Sequence, residues 1–135
     1  MPPTSILIAD DYDDNRELLR LMLEGAGYSV RETRDGRECV AAARAEPPDI
    51  VLIDLSMPVL DGWATLRELR ADERTRTLAC VAVTALAAEQ DRTRALDAGF
   101  DAYLAKPYRS RDLLELVERL LRQTRTATDA SRQNL

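Results

Sequence analysis

Three aspartates, one threonine and one lysine are the residues of this chain whose types and placement bear on chemistry. Each closes a short apolar run. Ile6-Leu7-Ile8-Ala9 leads into Asp10-Asp11, Ile50-Val51-Leu52-Ile53 into Asp54, Cys80-Val81-Ala82-Val83 into Thr84, and Ala102-Tyr103-Leu104-Ala105 into Lys106-Pro107. If the runs lie side by side, these groups rim one crevice. Three carboxylates that close repel one another unless a hard cation sits among them, and an oxygen-lined site that keeps some water suits Mg²⁺. A carboxylate beside such an ion can attack phosphorus. The cation and an ammonium then neutralise the transferring phosphoryl oxygens, and a hydroxyl donates to another. That chemistry makes an aspartyl phosphate, with Lys106 and Thr84 as the stabilising donors.

The lysine stands out on composition as well. Of the 19 basic residues it is the only one that is not arginine. A point charge on a flexible stem reaches and encloses differently from a planar fork, which marks Lys106 for attention.

The elements that must carry these groups alternate along the chain. The apolar runs are short and continuous, as in strands covered on both faces. Between them lie helical periods. Residues from about Asp14 to Ala26 place Leu18, Leu21, Met22 and Gly25 on one face, closed by Gly25 and Gly27. A weaker strand covers Tyr28 to Thr33. Asp35-Gly36 turns into a helix that Pro47-Pro48 stops after about Ala45. Further helices are expected over Trp63–Ala71, over Ala87–Ala98 with Gly99 as cap, and from Arg111 to about Gln123, where Leu113, Leu114, Val117, Leu120 and Leu121 make a stripe. Residues 124–135 are polar and lack a period, so they read as a frayed, flexible tail behind a domain over 1–123. Five strands alternating with five helices predict an α/β fold, a parallel sheet with helices on both faces. Its ligand crevice lies beyond the carboxyl ends of the strands, where the strand order reverses.

Composition narrows the function classes. The chain has 135 residues, 45% of them hydrophobic and 32% charged, with a formal charge of −5, an ordinary globular balance. No apolar run is long enough to span a membrane or form a signal-peptide core, so a cytoplasmic location is expected. No basic stripe points to direct nucleic-acid binding. With no histidine and only Cys39 and Cys80, far apart, a zinc site, a disulfide framework and a histidine-based triad are excluded as readings.

The chain resembles the receiver domain of two-component response regulators over residues 5 to about 122. The resemblance is carried by Asp10-Asp11, the run Asp54-Leu55-Ser56-Met57-Pro58-Val59-Leu60-Asp61-Gly62, Thr84-Ala85, and Gly99-Phe100-Asp101-Ala102-Tyr103-Leu104-Ala105-Lys106-Pro107. It implies a five-stranded flavodoxin-like sheet in the order 2-1-3-4-5, with Asp54 as phosphoacceptor. Asp11, Asp54 and the main-chain carbonyl of Ser56 would hold Mg²⁺ directly, and Asp10 mainly through water. Lys106 would reach toward the phosphoryl group, Thr84 would move to bond it, and Tyr103 would swing inward behind Thr84. The surface of the fourth helix, fifth strand and fifth helix would then change shape for a partner. The Lys106–Pro107 bond would be cis. The implied partners are a sensor histidine kinase or histidine phosphotransfer protein and a downstream protein target, with a homodimer as a further use of the same surface. The short polar end favours a stand-alone receiver over a piece of a larger regulator.

Simpler readings hold for other residues. Asp13 and Asp14 fit a helix N-terminus, Asp61 and Gly62 a turn, Trp63 packing, and Cys39 and Cys80 small apolar fillers. Arg67, Arg70, Arg74 and Arg76 fit a solvated helix face. Ser56 and Leu86 flank the crevice without a charge to position a hydrolytic water, which points to long-lived phosphorylation. Two rival functions are weaker. An aspartate-nucleophile phosphatase or phosphotransferase needs a second aspartate two residues past the first, and Ser56 stands there. An adaptor that no longer accepts phosphate would be expected to have lost an acidic, threonine or lysine position, and all are present.

Overall fold

A computed structural model describes residues 3–85 and 88–133, with side chains described as far as 123. The elements alternate throughout: β1 Ser5–Ala9, α1 Asp13–Gly25, β2 Ser29–Thr33, α2 Gly36–Ala45, β3 Ile50–Asp54, α3 Gly62–Ala71, β4 Ala79–Thr84, α4 Glu89–Ala98, β5 Ala102–Ala105 and α5 Ser110–Gln133. All strands are parallel, in the order β2-β1-β3-β4-β5. Fold and strand order agree with the sequence reading.

Strand parity sorts the core into two layers, because successive side chains leave a strand on opposite faces. Leu7, Ala9, Val51, Ile53, Cys80 and Ala82 face Cys39, Val40 and Ala43 of α2 and Leu66 and Leu69 of α3. Ile6, Ile8, Ile50, Leu52, Val81 and Val83 face Leu19 and Leu23 of α1 and Leu113, Leu116, Val117 and Leu120 of α5. β1, β3 and β4 therefore have no polar side, which is why their sequences run without alternation.

Aspartates and glycines set the element ends. Asp35 and Asp61 accept the Glu38 and Ala64 N–H groups at 2.9 and 2.8 Å, capping α2 and α3. α1 ends with the Gly27 N–H on the Glu24 carbonyl at 3.0 Å and the Tyr28 N–H on the Leu23 carbonyl at 3.1 Å. That pairing requires the left-handed φ of +95° at Gly27.

Three expectations are corrected. The buried face of α1 is Arg16, Leu19 and Leu23, while Leu18 and Leu21 are 55% and 62% exposed. Five of the six residues from 18 to 23 are apolar, so the stripe is wide enough for two rotational phases, and docking on the sheet selects one. α5 continues past Gln123, its expected end, to Gln133. Residues 124–133 hold no glycine or proline, and adding turns to an existing helix is far easier than nucleating one. Arg70 is not a solvated side chain. It donates to the Leu78 and Gly99 carbonyls at 2.6 and 2.8 Å and pairs with Asp101 at 3.0 Å, tying α3 to the segments that enter β4 and β5. Leu86 and Ala87, read above as a flank of the crevice and as the start of a helix, lie outside the described residues. Among the described residues no helix is long and apolar enough to cross a membrane.

Candidate functional site

Four chain segments separated by strand, helix and turn end at the same edge of the sheet. β1 and β3 are neighbours, paired through Ala9 and Ile53, so the residues that follow, Asp10 and Asp54, emerge side by side. Carboxylate oxygens of Asp10, Asp11 and Asp54 lie within 4.8 Å of one another. Lys106, just past the end of β5, brings its Nζ to 3.3 Å from Asp10 Oδ2 and 3.4 Å from Asp54 Oδ2. The ammonium thus pairs with two of the three clustered carboxylates. Each acid is presented differently. Asp10 is buried and its Oδ1 accepts the Tyr12 N–H at 2.9 Å. Asp54 is nearly buried and its Oδ1 accepts the Ser56 N–H at 2.9 Å. Asp11 is exposed, open to water.

Burial pushes the Asp10 carboxyl above the ordinary 3.8; the Tyr12 N–H and the Lys106 charge pull the other way, and the Asp54 charge adds to the rise. By count the cluster gathers three carboxylates and one ammonium. An all-oxygen donor set with one water-facing member fits a hard divalent cation such as Mg²⁺, which keeps part of its hydration.

Thr84 is buried at the end of β4, one residue beyond Val83, the register partner of Asp54. Its carbonyl accepts the Lys106 N–H at 2.7 Å, so the threonine and lysine positions are fixed to each other through the backbone. The Lys106–Pro107 bond is cis, as expected. Tyr103 lies outside the acidic cluster. Its ring packs beside the layer that contains Phe100, and its buried hydroxyl has no hydrogen-bond partner among the described residues. Trp63 makes an edge-on contact with Phe100 at 6.0 Å between ring centres, and the Arg94 guanidinium sits 4.4 Å from its own ring centre. Packing, as the sequence suggested, accounts for it.

Sequence reasoning missed two features of the crevice. Val59, in the loop after Asp54, has a left-handed φ of 67° with the Leu60 N–H on the Pro58 carbonyl at 2.7 Å, a strained turn for a β-branched residue. Pro58 signals a turn there but not its hand. Arg16 is buried behind Asp10, and the helical period, assigned to the other face, hid it.

The chain belongs to the response regulator receiver domain family, which matches residues 6–118. Receiver domains are signalling switches, and the fold and acidic crevice described above are those of this class. The chain is 33% identical over 119 residues to the polar-differentiation response regulator DivK of Brucella anthropi, covering 88% of this chain and 97% of that protein. It is 37% identical over 129 residues to the DNA-binding dual master transcriptional regulator RpaA of Synechocystis, covering 96% of this chain and 54% of RpaA. The chain therefore spans about half the length of RpaA and nearly all of DivK. Among solved structures, the receiver domain of the sensor histidine kinase PA1611 from Pseudomonas aeruginosa, with a magnesium ion coordinated in its active site cleft, matches with a TM-score of 0.82 at 36% identity, covering 88% of this chain and 98% of that one. A putative response regulator from Chloroflexus aurantiacus matches with a TM-score of 0.85 at 33% identity, covering 89% and 98%.

Proposed function

We propose that this receiver accepts a phosphoryl group on Asp54 from a phosphohistidine of a sensor kinase or phosphotransfer protein, and that the modified surface controls a downstream protein. The observation that carries the reading is the Lys106 ammonium set between Asp10 and Asp54 at 3.3 and 3.4 Å in a cluster short of positive charge. An Asp54 carboxylate oxygen attacks phosphorus, the P–N bond to the donor imidazole breaks, and the electron pair leaves with the imidazole. Lys106 moves its charge to the incoming phosphoryl oxygens, and the Thr84 hydroxyl donates to another. Asp11, Asp54 and the Ser56 carbonyl would hold Mg²⁺, and Asp10 would act mainly through water. When bound, the cation would supply charge neutralisation for the phosphoryl transfer.

The readout follows from charge. Phosphorylation adds up to about two negative charges at the crevice floor. Thr84 moves toward them and Tyr103, whose buried hydroxyl lacks a partner among the described residues, follows into the space it leaves. The face of α4, β5 and α5 changes, and the downstream partner or a second copy docks there.

Intact-mass analysis after incubation with Mg²⁺ and acetyl phosphate tests the reading. The expected result is one added phosphoryl group that requires Mg²⁺ and is lost in Asp54→Ala. Equal labelling of that variant would overturn the assignment.

A further inference from the structure

Arg16 is a guanidinium where a first-turn helix residue would ordinarily sit in water. Its side chain is only 9% exposed. The fork reaches three separate parts of the fold. Nη1 donates to the Asp10 carbonyl at 2.7 Å, Nη2 pairs with Asp13 in the first turn of α1, and Nε lies 3.7 Å from Glu32 on β2. Burying a guanidinium carries a large desolvation cost, so its retention calls for a set of partners that a single ammonium would not satisfy together.

The bond to Asp10 bears on the crevice. The Asp10 carbonyl belongs to the peptide plane that joins Asp10 to Asp11. Asp10 is tethered by its own groups as well, through its N–H on the Thr33 carbonyl at 3.2 Å and its carboxylate on the Tyr12 N–H at 2.9 Å. Asp11 is exposed, so the direction of its carboxylate depends on the backbone that carries it. A guanidinium fixing that plane fixes the Asp11 N and Cα, the points from which its carboxylate must reach. Groups that orient metal ligands from behind typically change affinity by about 10–100-fold when removed.

We propose that Arg16 is the positioning residue of the cation site: by holding the Asp10 carbonyl it orients Asp11 and sets the affinity for a divalent, oxygen-liganded cation. The inference rests on the functional reading above, in which Asp11 is a ligand. Arg16 touches no reacting atom, so its loss shifts the cation requirement and leaves the chemical step intact.

The test is calorimetric titration of the full chain with Mg²⁺, together with the rate of acetyl-phosphate labelling as a function of Mg²⁺, for wild type, Arg16→Met, Arg16→Lys and Glu32→Gln. Arg16→Met is expected to weaken Mg²⁺ binding about tenfold and to raise the half-saturating Mg²⁺ for labelling equally, with the rate at saturating Mg²⁺ within about twofold of wild type. Arg16→Lys, which keeps the charge and loses the fork, is expected to fall between the two. Glu32→Gln, which leaves the bond to Asp10, is expected to change affinity by less than about twofold. A purely structural role would lower labelling at every Mg²⁺ concentration without moving the midpoint. Saturable wild-type binding with an unmoved midpoint in folded Arg16→Met, or in Arg16→Lys should the methionine variant not fold, would overturn this inference alone. Wild-type protein with no saturable Mg²⁺ binding would overturn the functional reading and this inference with it.

Discussion

Asp72 and Asp10 are both aspartates at the ends of elements, and the fold treats them in opposite ways. Asp72, after α3 at the edge where the strands begin, pairs with Arg44 at 3.1 Å and Arg74 at 3.0 Å. The Arg74 guanidinium holds its carboxyl down at about 2. Nearby, Asp101 accepts from Arg70 at 3.0 Å and from the Cys80 N–H at 2.8 Å, and Asp49 accepts the Ser5 N–H at 2.8 Å. At the opposite edge Asp10 is packed against two other carboxylates with one ammonium between, and burial pushes its carboxyl up. One end of the sheet is closed electrostatically. The other is left with a surplus of negative charge that a divalent cation, and then a phosphoryl group, would complete. Departure from local satisfaction is what separates the candidate functional end from the structural one.

The contrast is open to four tests. The largest effect is expected from Lys106→Ala, which removes the one ammonium of the open end. The rate of Asp54 labelling by acetyl phosphate should fall about 100-fold, and a rate near wild type would remove Lys106 from the mechanism. Gly62→Ala comes next. A Cβ there would meet the Asp54 carbonyl oxygen at 2.6 Å and the Leu55 Cα at 2.7 Å, both backbone, so a loss of about 3 kcal/mol in urea unfolding is expected, with disturbance of Asp54 itself.

Arg70→Met probes the closed end. It removes the bonds to the Leu78 and Gly99 carbonyls and to Asp101, and should cost about 2 kcal/mol while leaving the labelling rate unchanged. A labelling defect in folded protein would show that the two ends are coupled. Asp10→Asn should have the smallest effect and the opposite sign, a gain of about 1 kcal/mol in Mg²⁺-free protein at neutral pH, with weaker Mg²⁺ binding. The pH dependence follows from the raised carboxyl. The folded chain holds the Asp10 proton more tightly than the unfolded chain, so wild-type stability is lost as pH rises from the ordinary 3.8 through the folded value. The advantage of Asp10→Asn should therefore be small in acid and grow toward neutrality. Asp72 works the other way, its contribution present above 3.8 and lost as pH falls toward about 2. Parallel urea midpoints for wild type and Asp10→Asn at all pH values would contradict the account of the open end.

Much of this was readable from the chain. Continuous apolar runs announced strands covered on both faces, and a polar residue closing four of the five placed the crevice at their ends. The phase of α1 was not readable, since Leu18, Leu19, Leu21, Met22 and Leu23 permit two faces and only the neighbouring sheet chooses. Nor was the end of α5, because a segment with neither breakers nor a stripe gives no local signal in either direction.

The sequence by itself determined the element order, the caps and the inventory of the candidate site, because these depend on local periods, on turn residues and on the chemistry of single side chains. The tertiary structure alone decided that Lys106 lies between Asp10 and Asp54, that Arg16 is buried behind the acidic turn, and that Arg70 closes the opposite edge. Those facts are distances between residues as many as 96 positions apart, set by strand pairing and burial, and no local pattern encodes them.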